Sequence, residues 1–200
     1  MDNGISKAER TRQFIIETTA GIFNTKGYAG TSLSDLTEAT QLTKGSIYGN
    51  FENKEDVALA VFDYNLSRVR LAIANRMQLS TSYHDKLMVY AQVYHSFSGE
   101  AFPPGGCPIL NTAIEADDTN TLLKERAERA VSEWKNNIKS LIQAGIKSGE
   151  FSAGTEVDRL AYSIVALIEG GIMIAKITGD HANLDKVLKT VELLIVQLKA

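Results

Sequence analysis

The chain is 200 residues long, carries a formal net charge of −3 at pH 7 and is 44% hydrophobic. This composition excludes a disordered or fibrous protein and indicates a globular one with a substantial core in one or two domains. We find no basic-then-apolar amino-terminal segment and no run of about eighteen apolar residues, so we expect neither export nor membrane insertion, and a cytoplasmic location. The net acidity also argues against a broadly basic surface for nucleic acid.

Apolar residues recur at helical spacing, which predicts an all-α fold: an amino-terminal three-helix domain followed by a carboxy-terminal helical domain. Residues 1–6 form a polar arm, and residues 7–26 are expected to be the first helix, with Ile16, Ala20 and Phe23 on its core face. Gly27 follows, as is typical of a left-handed carboxy-terminal cap.

Two short helices are expected next, within residues 31–39 and 41–51. Ser32 or Ser34 can cap the first and Thr43 the second, because these side chains accept hydrogen bonds from unpaired N–H groups at helix starts. Two short helices joined by a tight turn form a helix-turn-helix, whose second helix enters the major groove of DNA. The spacing also allows two ordinary surface helices.

The second of these helices has two distinct faces. Leu42, Ile47 and Phe51 can face a small core, which leaves polar side chains outside to reach base edges and phosphates. The residues expected to read DNA are Lys44, Ser46, Tyr48 and Asn50. Thr43 is expected on phosphate, and Gly45 permits a close backbone approach.

The placement of charge favours DNA binding more than the net charge does, because acidic and basic residues are equal in number over residues 1–54. The basic residues near the arm and the recognition helix are Lys7, Arg10, Arg12, Lys44 and Lys54. We therefore expect modest affinity per subunit and dependence on dimerisation.

A dense series of residues runs without a gap through this region: Arg12, Ile16, Ala20, Phe23, Gly27-Tyr28, Thr31-Ser32, Leu36, Leu42-Thr43-Lys44-Gly45-Ser46-Ile47-Tyr48, Phe51, Asn53-Lys54-Glu55 and Leu59. With this series, the first sixty or so residues resemble the DNA-binding domain of the TetR family of bacterial regulators. The resemblance implies a dimeric, ligand-responsive transcriptional regulator, expected to be a repressor that leaves a pseudo-palindromic operator when its carboxy-terminal domain is occupied or modified. It also implies that Lys54 contacts DNA phosphate.

The chain departs from the family where an aromatic residue is often followed by histidine, because it has Tyr48-Gly49-Asn50-Phe51 there. A glycine inside the recognition helix would cost roughly 1 kcal/mol of helix propensity. Asn50 could read adenine or hold phosphate, so the operator does not follow from the resemblance. The DNA-binding residues that we predict are Ser32, Thr43, Lys44, Gly45, Ser46, Tyr48, Gly49, Asn50 and Lys54.

A fourth helix capped by Asn53 is expected to continue to Met77, without a flexible linker. We place the DNA-binding domain at residues 1–53 and the effector-binding and dimerisation domain at 54–200. In a fifth helix opened by Ser82, an aromatic stripe recurs at helical spacing: Tyr90, Tyr94 and Phe97. These rings can be core or a ligand wall, and so can Trp134, the only tryptophan, in a helix over residues 120–147.

The turn Gly105-Gly106-Cys107-Pro108 opens a sixth helix, since proline favours the first helical position. Cys107 at its N-cap could be a reactive thiolate or a small buried residue. The turn resembles one in TetR regulators that include sensors of electrophiles and oxidants, where a lysine on a later helix can assist; Lys176 is a plausible counterpart.

The last two helices, expected over residues 156–176 and after residue 183, are more apolar than one subunit needs, which predicts a homodimer through a four-helix interface. Gly170 and Gly171 would allow close helix approach.

We predict a small-molecule effector that is apolar, aromatic or electrophilic, with ligand-binding residues Tyr90, Tyr94, Phe97, Cys107, Trp134 and Lys176. Covalent modification of Cys107 is the alternative signal. A cysteine-dependent enzyme using His95 or His84 is a remote alternative, and a protein-interaction module is a third. The scattered histidines give no metal-ligand spacing, so we expect neither a metal, a cofactor nor a catalytic residue.

Overall fold

The computed structural model describes residues 6–96, 99 and 102–199. Over these residues the secondary structure is helical, with one isolated bridge between Phe151 and Lys199, and the predicted all-α fold is confirmed. The helices are α1 (Lys7–Gly30), α2 (Leu33–Thr40), α3 (Lys44–Tyr48), α4 (Lys54–Met77), α5 (Tyr83–His95), α6 (Pro108–Ala116), α7 (Thr121–Lys147), α8 (Val157–Thr178) and α9 (Ala182–Val196).

The chain forms two compact units whose members are not consecutive in sequence. Unit 1 comprises Met1–Arg68 and Pro103–Arg126, and unit 2 comprises Val69–Phe102 and Ala127–Ala200. The divisions fall within α4 and α7, and unit 1 includes α6 together with α1, α2 and α3. The predicted domains, residues 1–53 and 54–200, are each continuous in sequence, unlike these two units. They remain a prediction.

Unit 1 is built on α1, whose regular part stops at Gly27. This residue has φ 74° and ψ 177°, so it is not the left-handed helical cap that we expected but an extended conformation at positive φ, which side chains disfavour. One more turn follows, to Gly30. The fully buried Ile15, Leu36, Ile47 and Val57 bring residues of α1, α2, α3 and α4 into the core of this unit.

Unit 2 has α8 and α9 packed along each other and α5 packed on α9. Gly171 allows the close approach of α8 and α9, because a Cβ there would lie 2.9 Å from Leu184 Cδ1 and 3.2 Å from Val187 Cβ. By length and composition α8 could cross a membrane, but Ile164, Ile168 and Ile172 are fully buried, as in a core helix. α9 begins at Ala182, slightly earlier than expected.

Candidate nucleic-acid interface

The first helix of the expected helix-turn-helix, α2, begins with a capping box. Ser32, not Ser34, is the N-cap: its Oγ accepts from Asp35 N at 3.1 Å, and Asp35 Oδ2 accepts from Ser32 N at 2.8 Å. The pKa of Asp35 is held well below its usual range, mainly by a hydrogen bond from the Lys26 ammonium and to a smaller extent by the hydrogen bonds from Ser32. The carboxylate therefore stays ionised and keeps α2 capped at physiological pH.

The expected recognition helix, α3, is shorter than the sequence predicts. Thr43 caps it by accepting from Ser46 N at 3.1 Å, as predicted, but the helix ends at Tyr48. Gly49 is the C-cap, and its N–H donates to Gly45 O at 2.9 Å. The expectation of a glycine inside the helix at this point is therefore wrong, and the propensity cost attached to it does not apply to Gly49.

The side chains of α3 divide as the pattern indicated. Ile47 is fully buried, Lys44 and Gly45 are exposed, and Ser46 and Tyr48 are half-buried. The Lys44 ammonium lies 6.0 Å from the centre of the Tyr48 ring. One face of α3 therefore offers a cation, a hydroxyl and an aromatic ring to solvent.

Asn50 follows α3 and is engaged within the unit. Its Nδ2 donates to Ser46 O at 2.9 Å, which uses one of the two donors of this amide group. Its carbonyl accepts from Arg12 Nη1 at 2.6 Å. The side chain thus stabilises the end of α3 in the absence of DNA.

Arg12, one of the basic residues predicted to favour DNA by their placement, makes contacts within the unit. Besides Asn50 O, its guanidinium lies 3.5 Å from Asp56 Oδ1 and 3.9 Å above the centre of the Phe51 ring. A planar guanidinium that stacks on a ring and donates in two directions holds its partners in a better defined arrangement than a flexible ammonium does. Arg12 on α1 therefore links the segment after α3 to the start of α4.

Lys54 also makes internal contacts. Its Nζ donates to Tyr28 O at 2.7 Å and to Thr31 O at 2.9 Å, and lies 4.2 Å from the centre of the Tyr28 ring. An ammonium has three donors, and these carbonyls use two of them. The third donor is available for the predicted contact with DNA phosphate.

The predicted ligand residues do not form one group. In unit 2, Trp134 is stacked on Tyr94 with ring centres 5.4 Å apart, and Tyr90 is tilted against Trp134 at 6.3 Å. Phe102, which the sequence did not single out, lies 5.1 Å from Tyr94. Trp134 and both tyrosines are buried, and burial raises the pKa of Tyr90, so its phenol is neutral at physiological pH.

The remaining predicted ligand residues lie elsewhere. Cys107 belongs to unit 1, is only 2% exposed and occupies the N-cap of α6 without capping it through its side chain. Lys176 is exposed on α8. Phe97 lies outside the described residues. Among the residues that the structure describes, no group of three potential metal ligands is found.

A short, capped α3 presented on α1 and α2, followed by a larger helical region, defines the class of helix-turn-helix DNA-binding proteins. A family model described as bacterial regulatory proteins of the tetR family matches residues 15–61. A second model, described as the tetracyclin repressor-like carboxy-terminal domain, matches residues 84–191. The chain belongs to the TetR family of transcriptional regulators.

Relatives with solved structures match over almost the whole chain. A TetR-family transcriptional regulator from Cytophaga hutchinsonii is 50% identical, with a TM-score of 0.95 and coverage of 99% of both chains. A TetR regulator from Chloroflexus aurantiacus J-10-FL is 39% identical, with a TM-score of 0.91 and coverage of 98% of both. Among relatives compared by sequence alone, the HTH-type transcriptional repressor DhaR of Mycobacterium sp. (strain GP1) is 26% identical over 182 residues, covering 90% of this chain and 89% of that one.

Proposed function

We propose that this regulator is a dimeric repressor that binds a pseudo-palindromic operator and is released by a small-molecule effector. The observation that supports operator binding is that α3 has a buried face and an exposed face. Ile47 is fully buried, while Lys44 and Gly45 are exposed at the amino-terminal end. This end of a recognition helix meets base edges in helix-turn-helix complexes. Family membership and similarity to the DhaR repressor support the same proposal.

Within this proposal the predicted DNA-binding residues take different roles. Lys44, Ser46 and Tyr48 face the bases, with Asn50 beside them. Thr43, Ser32 and the remaining donor of Lys54 hold phosphate, and Gly45 and Gly49 keep the backbone close to the groove. Two such helices related by a two-fold axis would meet successive major grooves about 34 Å apart.

The proposed dimer interface lies on α8 and α9. Several large apolar side chains of these helices are exposed in the single chain: Tyr162, Met173, Ile174, Ile177, Leu193 and Val196. Ile177 is 78% exposed and Leu193 60%. A monomer rarely leaves so much apolar surface in water, so a second copy of the chain is the proposed cover.

The proposed effector site is the aromatic cluster Tyr90, Tyr94, Phe102 and Trp134. Trp134 is 7% exposed, and its Nε1 has no hydrogen-bond partner among the described residues. A buried donor without a partner costs about 1–3 kcal/mol, which a ligand bearing an acceptor would recover. The cluster therefore favours an aromatic effector with a carbonyl or similar oxygen over a purely apolar one.

We expect Trp134→Phe to abolish a preference for hydrogen-bond acceptors while keeping an aromatic ring in the cluster. The native protein should bind 2-acetylnaphthalene about five- to tenfold more tightly than 2-ethylnaphthalene, and the variant should bind them equally. Equilibrium dialysis measures both affinities. An unchanged preference in the variant, or no binding of either compound to the native protein, would contradict this site.

Covalent modification of Cys107 is the second candidate signal, favoured by its place at the N-cap of α6 and disfavoured by its burial. We expect release from the operator by a quinone or an aldehyde to be equal in the native protein and in Cys107→Ser, because a thiol that is 2% exposed reacts slowly. A gel-shift assay on the protein's own upstream region measures the release. Loss of DNA binding in the native protein alone would instead establish a thiol switch.

The relatives that the chain matches are transcriptional regulators, and we propose no catalytic role for His84, His95 or Cys107. A cytoplasmic location, where the operator lies, is part of the same proposal.

A further inference from the structure

The turn that leads from α1 into the helix-turn-helix is held by a carboxylate from α6. Tyr28 N donates to Glu115 Oε2 at 2.9 Å and Ala29 N donates to Glu115 Oε1 at 2.8 Å. A carboxylate that receives two amides makes a pair of charge-assisted hydrogen bonds with a fixed direction.

The backbone at Gly27 is shaped to admit this carboxylate. A Cβ at position 27 would lie 2.3 Å from Glu115 Oε2, inside the van der Waals contact distance. The glycine therefore provides both the positive φ of the turn and the space that the carboxylate fills.

The opposite side of the same turn is held by a cation. Lys54 donates to Tyr28 O and Thr31 O, while Glu115 accepts from the neighbouring amides. The segment that enters α2 thus lies between an anion on α6 and a cation at the start of α4. Glu115 gives partners to two amides just after the break at Gly27, and Lys54 gives a partner to two carbonyls where α1 ends.

The start of α6 is fastened to α1 as well. Asn24 Nδ2 donates to Pro104 O at 2.8 Å and to Gly106 O at 2.9 Å, and Asn111 Nδ2 donates back to Asn24 O at 3.0 Å. Both ends of α6 are therefore bound to the carboxy-terminal part of α1. A displacement of α6 would pull directly on the turn that orients α2 and α3.

We propose that Glu115 is a positioning residue for operator recognition, acting through the Gly27–Gly30 turn and not by touching DNA. The helix that carries it lies within the stretch matched by the carboxy-terminal family model, residues 84–191, although it belongs to the compact unit of the helix-turn-helix. This inference rests on the proposed operator binding.

The test compares Glu115→Gln with Asp118→Asn, an exposed acid just beyond the same helix. Both variants lose one negative charge, which by itself strengthens binding to DNA. Relative to Asp118→Asn, which carries the same change of charge, we expect Glu115→Gln to weaken operator binding about tenfold, bind an unrelated duplex equally well, and speed hydrogen exchange of the Tyr28 and Ala29 amides. Asp118→Asn should show none of these losses.

Fluorescence anisotropy on the protein's own upstream region, at a temperature well below unfolding, gives the affinities. Gly27→Ala, which would displace the carboxylate, should reproduce the loss of operator selectivity. If the native protein binds the operator and Glu115→Gln binds it equally well, the positioning role is refuted while the proposed function stands. If the native protein binds no operator, the proposed function itself fails. Equal weakening on both duplexes would reduce Glu115 to a purely structural residue and overturn the inference.

Discussion

Ile177→Asp is expected to be a folded monomer that has lost operator binding. Ile177 is 78% exposed near the end of α8, and in the proposed dimer an aspartate there would place a charge in an apolar interface. Because each subunit supplies one recognition helix, a monomer can contact only half of a pseudo-palindromic site. Light scattering should give the mass of one chain, circular dichroism should show retained helix, and operator affinity should fall by at least about a hundredfold.

Leu79→Asp is the matched control, because Leu79 is 84% exposed but lies outside α8 and α9. It should remain a dimer and bind DNA as the native protein does. A dimeric Ile177→Asp variant with native affinity would show that these helices do not form the interface.

Arg12→Ala is expected to weaken operator binding by at least about tenfold without changing its salt dependence. Arg12 fastens Asn50 at the end of α3 to α4 through internal contacts, so its loss would loosen the recognition helix but remove no phosphate contact. Lys54, by contrast, is proposed to hold phosphate with the donor that its contacts to Tyr28 O and Thr31 O leave over. Lys54→Ala should therefore reduce the slope of log affinity against log salt by about one.

Anisotropy titrations at several salt concentrations separate these two effects. A reduced slope in Arg12→Ala would mean that this residue leaves its internal partners and binds phosphate, contrary to the role given to it here.

The helix starts could be predicted from sequence because their causes are local. Ser32, Thr43 and Ser82 each accept from the amide three residues ahead, and Pro108 occupies the first turn of α6 as expected. The buried side of α3 followed from the spacing of its apolar residues. These features depend on neighbours within one helical turn, which the sequence displays directly.

The contacts that hold the helix-turn-helix could not be predicted, because they join residues far apart in the chain. Glu115 and Tyr28 are separated by 87 residues, and Arg12 and Asn50 by 38. Nothing local distinguishes Glu115 from a solvated acid at a helix end. Only the placement of α6 beside α1 brings its carboxylate to the two amides after Gly27.

The ligand residues show the same limit. Helical spacing predicts Tyr90 and Tyr94 on one stripe, but their ring contacts with Trp134 and Phe102 depend on how α5 packs against α7 and against the segment that carries Phe102. Cys107 was grouped with them from a resemblance, and the structure puts it in the other compact unit.

The most direct test of the account is sequence-selective binding of the purified protein to its own upstream region, compared with a shuffled duplex between about 50 and 200 mM salt. We predict one dimer per pseudo-palindromic site, an affinity at least about a thousandfold above that for the shuffled duplex, and a linear decline of log affinity with log salt. Equal affinity for the two duplexes, or binding of neither, would contradict the assignment of α3 as a recognition helix.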